Sequence, residues 1–87
     1  MNAKVLELEK KLFDGEVSKI VLPATEGEMC ILQNHASIIT SLKKGSIKIF
    51  RTTSARPLTI AVFGGICSFH KNSAVFILEQ RNPCLND

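Results

Sequence analysis

Tryptophan and tyrosine are absent from this chain of 87 residues, and proline occurs only three times. Without Trp or Tyr there are few platforms on which unpaired bases could stack, and the five phenylalanines fall in no ribonucleoprotein-type motif. Long apolar runs are also missing. Even the stretch Leu58 to Phe63, which includes Thr59, is far short of the roughly 18 residues a membrane-spanning helix needs. Charges scattered from Lys4 to Lys11 leave no continuous apolar core for a signal peptide. Cysteine is odd in number at three, which excludes a complete disulfide framework and favours reduced thiols in a reducing compartment. Neither Gly-x-Ser-x-Gly nor a Walker Lys-Ser or Lys-Thr pair is present, so a hydrolase elbow and a phosphate-binding P-loop are out.

Acidic side chains are missing from the middle of the chain. Six of the eight acids lie at or before Glu28, and none occurs from Met29 through Leu78, a span that carries Lys43, Lys44, Lys48, Arg51, Arg56 and Lys71. These basic residues are spaced as solvated strand faces and turns are, which favours an ordinary surface over a nucleic-acid groove. A freestanding basic domain for RNA or another polyanion is the alternative that the asymmetry keeps open. At 45% hydrophobic and 22% charged the chain is too apolar for disorder. Its length allows one domain with one core, burying roughly 60% of the surface that the unfolded chain exposes.

What is present is a period of two. Ile47 and Ile49 alternate with Lys48, and Leu58, Ile60 and Val62 alternate with Thr59 and Ala61, as half-buried strands do. By the same alternation Val17, Lys19 and Val21 point one way and Ser18, Ile20 and Leu22 the other. Turn chemistry recurs at Phe13-Asp14-Gly15, Pro23 to Gly27, Lys43-Lys44-Gly45, Thr53 to Pro57 and Lys71-Asn72-Ser73. Short strands at this spacing predict an all-β, antiparallel sandwich or barrel, with strands near 5–8, 16–22, 29–32, 38–42, 46–52, 58–63, 66–69 and 74–79. The predicted core includes Ile20, Leu22, Ile31, Ile49, Ile60 and Val62. Val5, Leu8 and Leu12 would also suit a helix, but no second helix is available to pack against it. The first segment therefore reads as a strand, with Leu6 and Leu8 on one face. The domain is expected over residues 1–80, with a frayed tail over 81–87 that contains Pro83.

Candidate chemistry is sparse. Cys67-x-x-His70 resembles half of a zinc site that Cys30 and His35 could complete. On a strand, however, residues three apart point to opposite faces, and Cys30 lies in an apolar run. A small metal-binding enzyme fragment is thus disfavoured, with no metal, no cofactor and no catalytic residue expected. His35 has no acid near it in sequence to orient it as a base. Gly64-Gly65 suits a turn or a bulge. Glu26 and Glu28, two apart on an extended segment, share a face and repel weakly, which favours a partner bringing positive charge over an acid–base pair.

The ordered series of short stretches is more specific than any of these. Leu12-Phe13-Asp14-Gly15-Glu16-Val17, Leu22-Pro23-Ala24-Thr25-Glu26-Gly27-Glu28 and Ile31-Leu32-Gln33-Asn34-His35-Ala36 closely resemble the epsilon subunit of F-type ATP synthase. The likeness continues through Thr40-Ser41-Leu42-Lys43-Lys44-Gly45, Gly64-Gly65 and Ala74-Val75-Phe76-Ile77-Leu78. This resemblance implies a flattened β-sandwich and a non-catalytic rotor subunit of the central stalk, coupling proton-driven rotation to ATP synthesis. It implies two partners, the gamma subunit and the loops of the membrane c-ring. Attachment to the membrane would come through the complex, at the cytoplasmic face of the bacterial inner membrane, without a transmembrane segment of its own. By position, Glu28 with Glu26 nearby would face the c-ring, and His35 and Thr40 would lie toward gamma. Glu28 could also be a plain solvated turn residue, and His35 a cap whose ring nitrogen bonds loop backbone.

The chain departs from the family in places. The loop usually written Pro-Gly-His reads Gln33-Asn34-His35, exchanging a rigid and a permissive residue for Asn34, which tolerates left-handed backbone better than most. Cys30 stands where glycine is common, and Lys44 replaces a usual proline. The family typically continues into a C-terminal helical hairpin, which can inhibit ATP hydrolysis and sometimes binds ATP. These 87 residues hold no segment for it, so the resemblance implies a coupling subunit without that inhibitory arm.

Overall fold

The computed structural model describes residues 1–8 and 10–79, and every regular element among them is a strand. In chain order these are β1 (Asn2–Glu7), β2 (Lys10–Ala24), β3 (Gly27–Leu32), β4 (Ile38–Leu42), β5 (Gly45–Arg51), β6 (Leu58–Val62), β7 (Gly65–His70) and β8 (Ser73–Leu78). All eight expected strands are present, with β1 and β2 beginning earlier than the sequence places them. The tail expected over 81–87 and Cys84 lie outside the described residues.

Hydrogen bonding runs in the order β1-β8-β7-β4-β2-β5-β6, with β3 on β2 and β1 also on β2. The ladder folds into two layers because β2, at 15 residues, belongs to both. Its first half pairs with β1 and its second with β3 and β5. One layer is β1-β8-β7-β4 and the other β3-β2-β5-β6, and their inward side chains merge in a single cluster. The described residues measure 43 × 27 × 20 Å. The short axis is what two sheets about 10 Å apart and their outer side chains occupy, so the fold is the flattened sandwich, antiparallel as expected except that β1 runs parallel to β8, from Asn2 beside Ser73 to Glu7 beside Leu78.

Two irregularities in β2 make this possible, and both correct the simple alternation. Register shifts between Val17 and Lys19 against β5, leaving Ser18 as an extra residue whose hydroxyl donates to the Phe50 carbonyl at 3.0 Å. A bulge re-aims the chain, so Val17 and Ile20 are both buried, although strict alternation puts them on opposite faces. A second shift, opposite Val5 and Leu6, inserts Leu12 and turns it with Phe13 onto the core. Phe13-Asp14-Gly15 is accordingly strand and not a turn, with Asp14 opposite Lys4 and Gly15 opposite Ala3.

The first strand also differs from expectation. Ala3 and Val5 point inward, while Leu8 is exposed at a turn with φ of 52°. The expected core residues Ile20, Leu22, Ile31, Ile49 and Val62 are all buried; Ile60 is partly buried and packs against them. At the corner from β6 to β7 the chain changes layers through Gly64 and Gly65, at φ of 141° and 142°. A side chain at Gly65 would collide with the Ile77 carbonyl oxygen, which is why this corner takes glycine.

These face assignments have a measurable consequence. Ile49→Ala, which empties core volume, is expected to cost about 2–5 kcal/mol in denaturant unfolding. Ile39→Ala, on the outer face of β4, should stay within about 0.5 kcal/mol. Equal losses would mean that the faces are misassigned.

Candidate functional site

A two-residue hairpin, Thr25-Glu26, joins β2 to β3, and Glu26 and Glu28 are both exposed on it. Neither carboxylate is in an ion pair among the described residues, where the pairs are the N-terminal amine with Glu16 and Lys11 with Asp14. The hairpin is fastened to the end of β4. The Thr25 amide donates to the Ser41 carbonyl at 3.1 Å, the two hydroxyls meet at 3.2 Å, and the Lys43 amide donates to the Pro23 carbonyl at 2.9 Å. The glutamates therefore stand on a braced tip.

The other end of β4 begins at the loop after β3. The His35 amide donates to the Leu32 carbonyl at 3.1 Å, closing a turn in which Asn34 takes a φ of 69°. Asparagine thus supplies the left-handed conformation for which glycine is the usual choice. The His35 ring packs edge-on against Phe69, with centroids 5.9 Å apart, and its Nδ1 lies 2.7 Å from the Ala36 carbonyl. A carbonyl can only accept, so Nδ1 carries the proton, and in the neutral ring Nε2 keeps its lone pair. The cap reading of His35 and a partner-facing role are compatible: one nitrogen holds the loop and the other makes no hydrogen bond among the described residues.

Thr40 lies between these ends. It is half-buried on the inward side of β4, opposite the buried Cys67, and its hydroxyl donates to the Ser41 carbonyl at 3.3 Å. The structure thus puts His35 at one end of β4 and Glu26 and Glu28 at the other. The three do not form a single cluster.

Alternation alone does not bring out the outer face of the β1-β8-β7-β4 layer. Leu6, Ile77 and Ile66 form one cross-strand row, and Val75, Ser68 and Ile39 the next. Ile39 is 76% exposed, Ile77 57% and Ile66 52%. A signal was available: Ile38-Ile39 and Ala74-Val75-Phe76-Ile77-Leu78 are apolar at successive positions, so both faces of these strands are apolar and only one can face the core. The patch is bordered by Lys4 and by the Lys11–Asp14 pair at 3.3 Å. A hollow lined by Ser37, Ile39, Ser68 and His70 continues it toward the His35 loop.

Residues 1–81 match the family described as the ATP synthase delta/epsilon chain β-sandwich domain. The chain belongs to that family. It is 32% identical over 82 residues to the ATP synthase epsilon chain of Rhizobium johnstonii, covering 94% of this chain and 60% of that one. It is 33% identical over 93 residues to the epsilon chain of Sinorhizobium fredii, covering 99% and 69%. The chloroplastic epsilon chain of Pelargonium hortorum is 35% identical over 77 residues, covering 88% and 57%. The chain thus spans about 60% of the length of the Rhizobium relative.

Solved structures share the fold at lower identity. A chain in the Euglena gracilis mitochondrial ATP synthase (OSCP/F1/c-ring) superposes with a TM-score of 0.80 at 17% identity, over 87% of this chain and 48% of that one. A chain in the central stalk/c-ring of the Tetrahymena thermophila enzyme gives 0.77 at 21% identity, over 92% and 63%.

The groups weighed for metal or covalent chemistry are kept apart in this family member. Cys67 is buried, whereas His70 is exposed with its Nδ1 2.9 Å from the Ser37 hydroxyl. Cys30 is exposed on β3. Among the described residues no three potential metal ligands converge, and no helix is long and apolar enough to cross a membrane.

Burial pushes the Cys67 thiol from 9.0 up to about 12 by penalising its thiolate. In the native chain, Cys30 is expected to react with a maleimide at neutral pH while Cys67 reacts only after unfolding, read by mass spectrometry of labelled peptides. Because the unfolded thiol loses its proton near pH 9 and the folded one does not, stability should fall as pH rises from about 9 to 12.

Proposed function

We propose that this chain is a non-catalytic central-stalk subunit of an F-type ATP synthase, binding gamma along β4 and its apolar face and the c-ring loops through the Glu26–Glu28 hairpin. One observation carries the reading. A member of this family exposes an apolar sheet face that runs from the His35 loop, at one end of β4, toward carboxylates at the other that are in no ion pair among the described residues. A patch of that kind on a small domain marks a partner surface, and the two charge characters suit two partners. Resemblance supplies the names of those partners, and the solved neighbours come from an OSCP/F1/c-ring assembly and a central stalk/c-ring assembly.

In this role the domain transmits force between two neighbours and performs no chemistry. The Ser37–His70 hydrogen bond near His35 ties the loop to β7, no carboxylate pairs with His70 among the described residues, and the reading calls on neither for chemistry. Its place would be peripheral, at the cytoplasmic face of the bacterial inner membrane, attached through the complex.

The test is binding of the purified chain to gamma and to detergent-solubilised c-ring, each measured by biolayer interferometry. Glu28→Lys should weaken c-ring binding about tenfold or more, since it replaces an attraction by a repulsion, and leave gamma binding within about twofold. Ile39→Asp should do the reverse by burying a charge at the apolar contact. Loss of both partners in both variants would show that the two surfaces are not separate.

A further inference from the structure

The loop that carries His35 is held by a side chain from the opposite hairpin. β7 and β8 are joined by Lys71 and Asn72, at φ of 48° and 59°. Two successive positive φ angles make this the tight turn that matches strand twist, normally written Asn-Gly or Asp-Gly. Asn72 occupies the second position, where its left-handed backbone is tolerated but its side chain is not required.

That side chain is engaged elsewhere. The Asn34 amide donates to Asn72 Oδ1 at 2.6 Å, and Asn72 Nδ2 donates back to Asn34 Oδ1 at 3.0 Å. The Asn72 carbonyl also accepts from the Asn2 amide at 2.9 Å, so β1 braces the turn from behind. Next to this pair Ser37 bonds His70 and His35 packs on Phe69. The asparagine pair, the Ser37–His70 bond and the His35–Phe69 contact link the loop of residues 33–37 to β7 and its turn, across 38 positions of sequence for the asparagine pair.

The loop needs such a tie. Its turn runs from Leu32 to His35, with positive φ at the third residue, Asn34, and not at the second, Gln33. This is the type II turn, for which proline and glycine are the favoured middle residues. Gln33-Asn34 offers neither the fixed φ of proline nor the freedom of glycine, so the local sequence alone leaves the turn poorly determined. The two-way bond to Asn72 provides from outside what the loop's own residues do not.

We propose that Asn72 is a positioning residue for partner binding: through Asn34 it fixes the left-handed turn, and with it the direction in which His35 presents Nε2 to a hydrogen-bond donor on the partner. The proposal rests on the gamma-binding reading of this edge.

The experiment uses the full chain and its Asn72→Gly variant, which keeps a residue suited to positive φ and deletes only the clasp. Amide exchange at Asn34 and His35, followed by NMR, should quicken roughly five- to a hundredfold in the variant, the loss of two hydrogen bonds. The lifetime of the gamma complex should shorten by a similar factor, with little change in association rate. Adding Gln33→Pro and Asn34→Gly to Asn72→Gly pre-organises the turn by its own residues and should restore the lifetime without restoring the clasp. A residue of general structural value would not be rescued in this way.

If the unaltered chain binds gamma and Asn72→Gly leaves the lifetime unchanged, the role assigned to Asn72 is overturned while the gamma reading stands. The same holds if the rescued turn exchanges slowly yet the lifetime stays short. If the unaltered chain does not bind gamma, the gamma reading falls and takes the partner role with it; the exchange rates then decide only whether the clasp orders the loop.

Discussion

The bulge at Ser18 is the constraint from which the rest of the architecture follows. β2 must lie in both layers, and a strand with strict alternation cannot cross from one to the other while keeping its apolar residues inside. One extra residue between Val17 and Lys19 shifts the parity. Val17 then buries with the β1 half of the strand, and Ile20 and Leu22 with the β5 half. Without it, every inward residue on one side of the bulge would face water. The polar hydroxyl of Ser18 satisfies the Phe50 carbonyl at the break, so the irregularity leaves no acceptor stranded there.

Because β2 is shared, β4 can sit where the layers meet, pairing with β7 along its length and joining the β2 ladder only where Ala24 faces Leu42. A strand so lightly held at one edge would be mobile by itself. It is instead stitched at both ends, by Thr25–Ser41 and Pro23–Lys43 at one and by the loop bonds to His70 and Asn72 at the other. At about 3.3 Å per residue its five residues span roughly 17 Å. That length separates the histidine loop from the acidic hairpin and lets the two work independently.

Much of this was legible in the sequence, for reasons that differ by residue. Ile47-Lys48-Ile49 and Leu58-Thr59-Ile60 announce their strands because one face is polar. β8 is apolar throughout, and alternation alone does not say that Phe76 is core and Ile77 surface. The bulges were illegible for a stronger reason: Ser18 and Leu12 differ from their neighbours in no composition signal, and only the need to close two layers demands them. Asn34 could be read as a left-handed residue from its type, and it is one. Its bond to Asn72 could not, since nothing local relates residues 38 positions apart.

On the rotor reading, energy scales separate what the two surfaces contribute. An exposed carboxylate paired with a lysine or arginine yields about 0–1 kcal/mol, so Glu26 and Glu28 set orientation more than affinity. Covering Ile39, Ile66 and Ile77, already partly shielded, would give on the order of 1–2 kcal/mol each. Association itself costs about 4–15 kcal/mol in lost freedom, and ordering a side chain on docking costs about 0.5–1.5 more. A loop of residues 33–37 that had to be fixed at the moment of contact would consume most of what the three isoleucines supply. The ties from Asn72 and His70 meet that cost during folding. A loop already set beside the small apolar face therefore lowers the cost that the face and the other contacts of the interface must meet together.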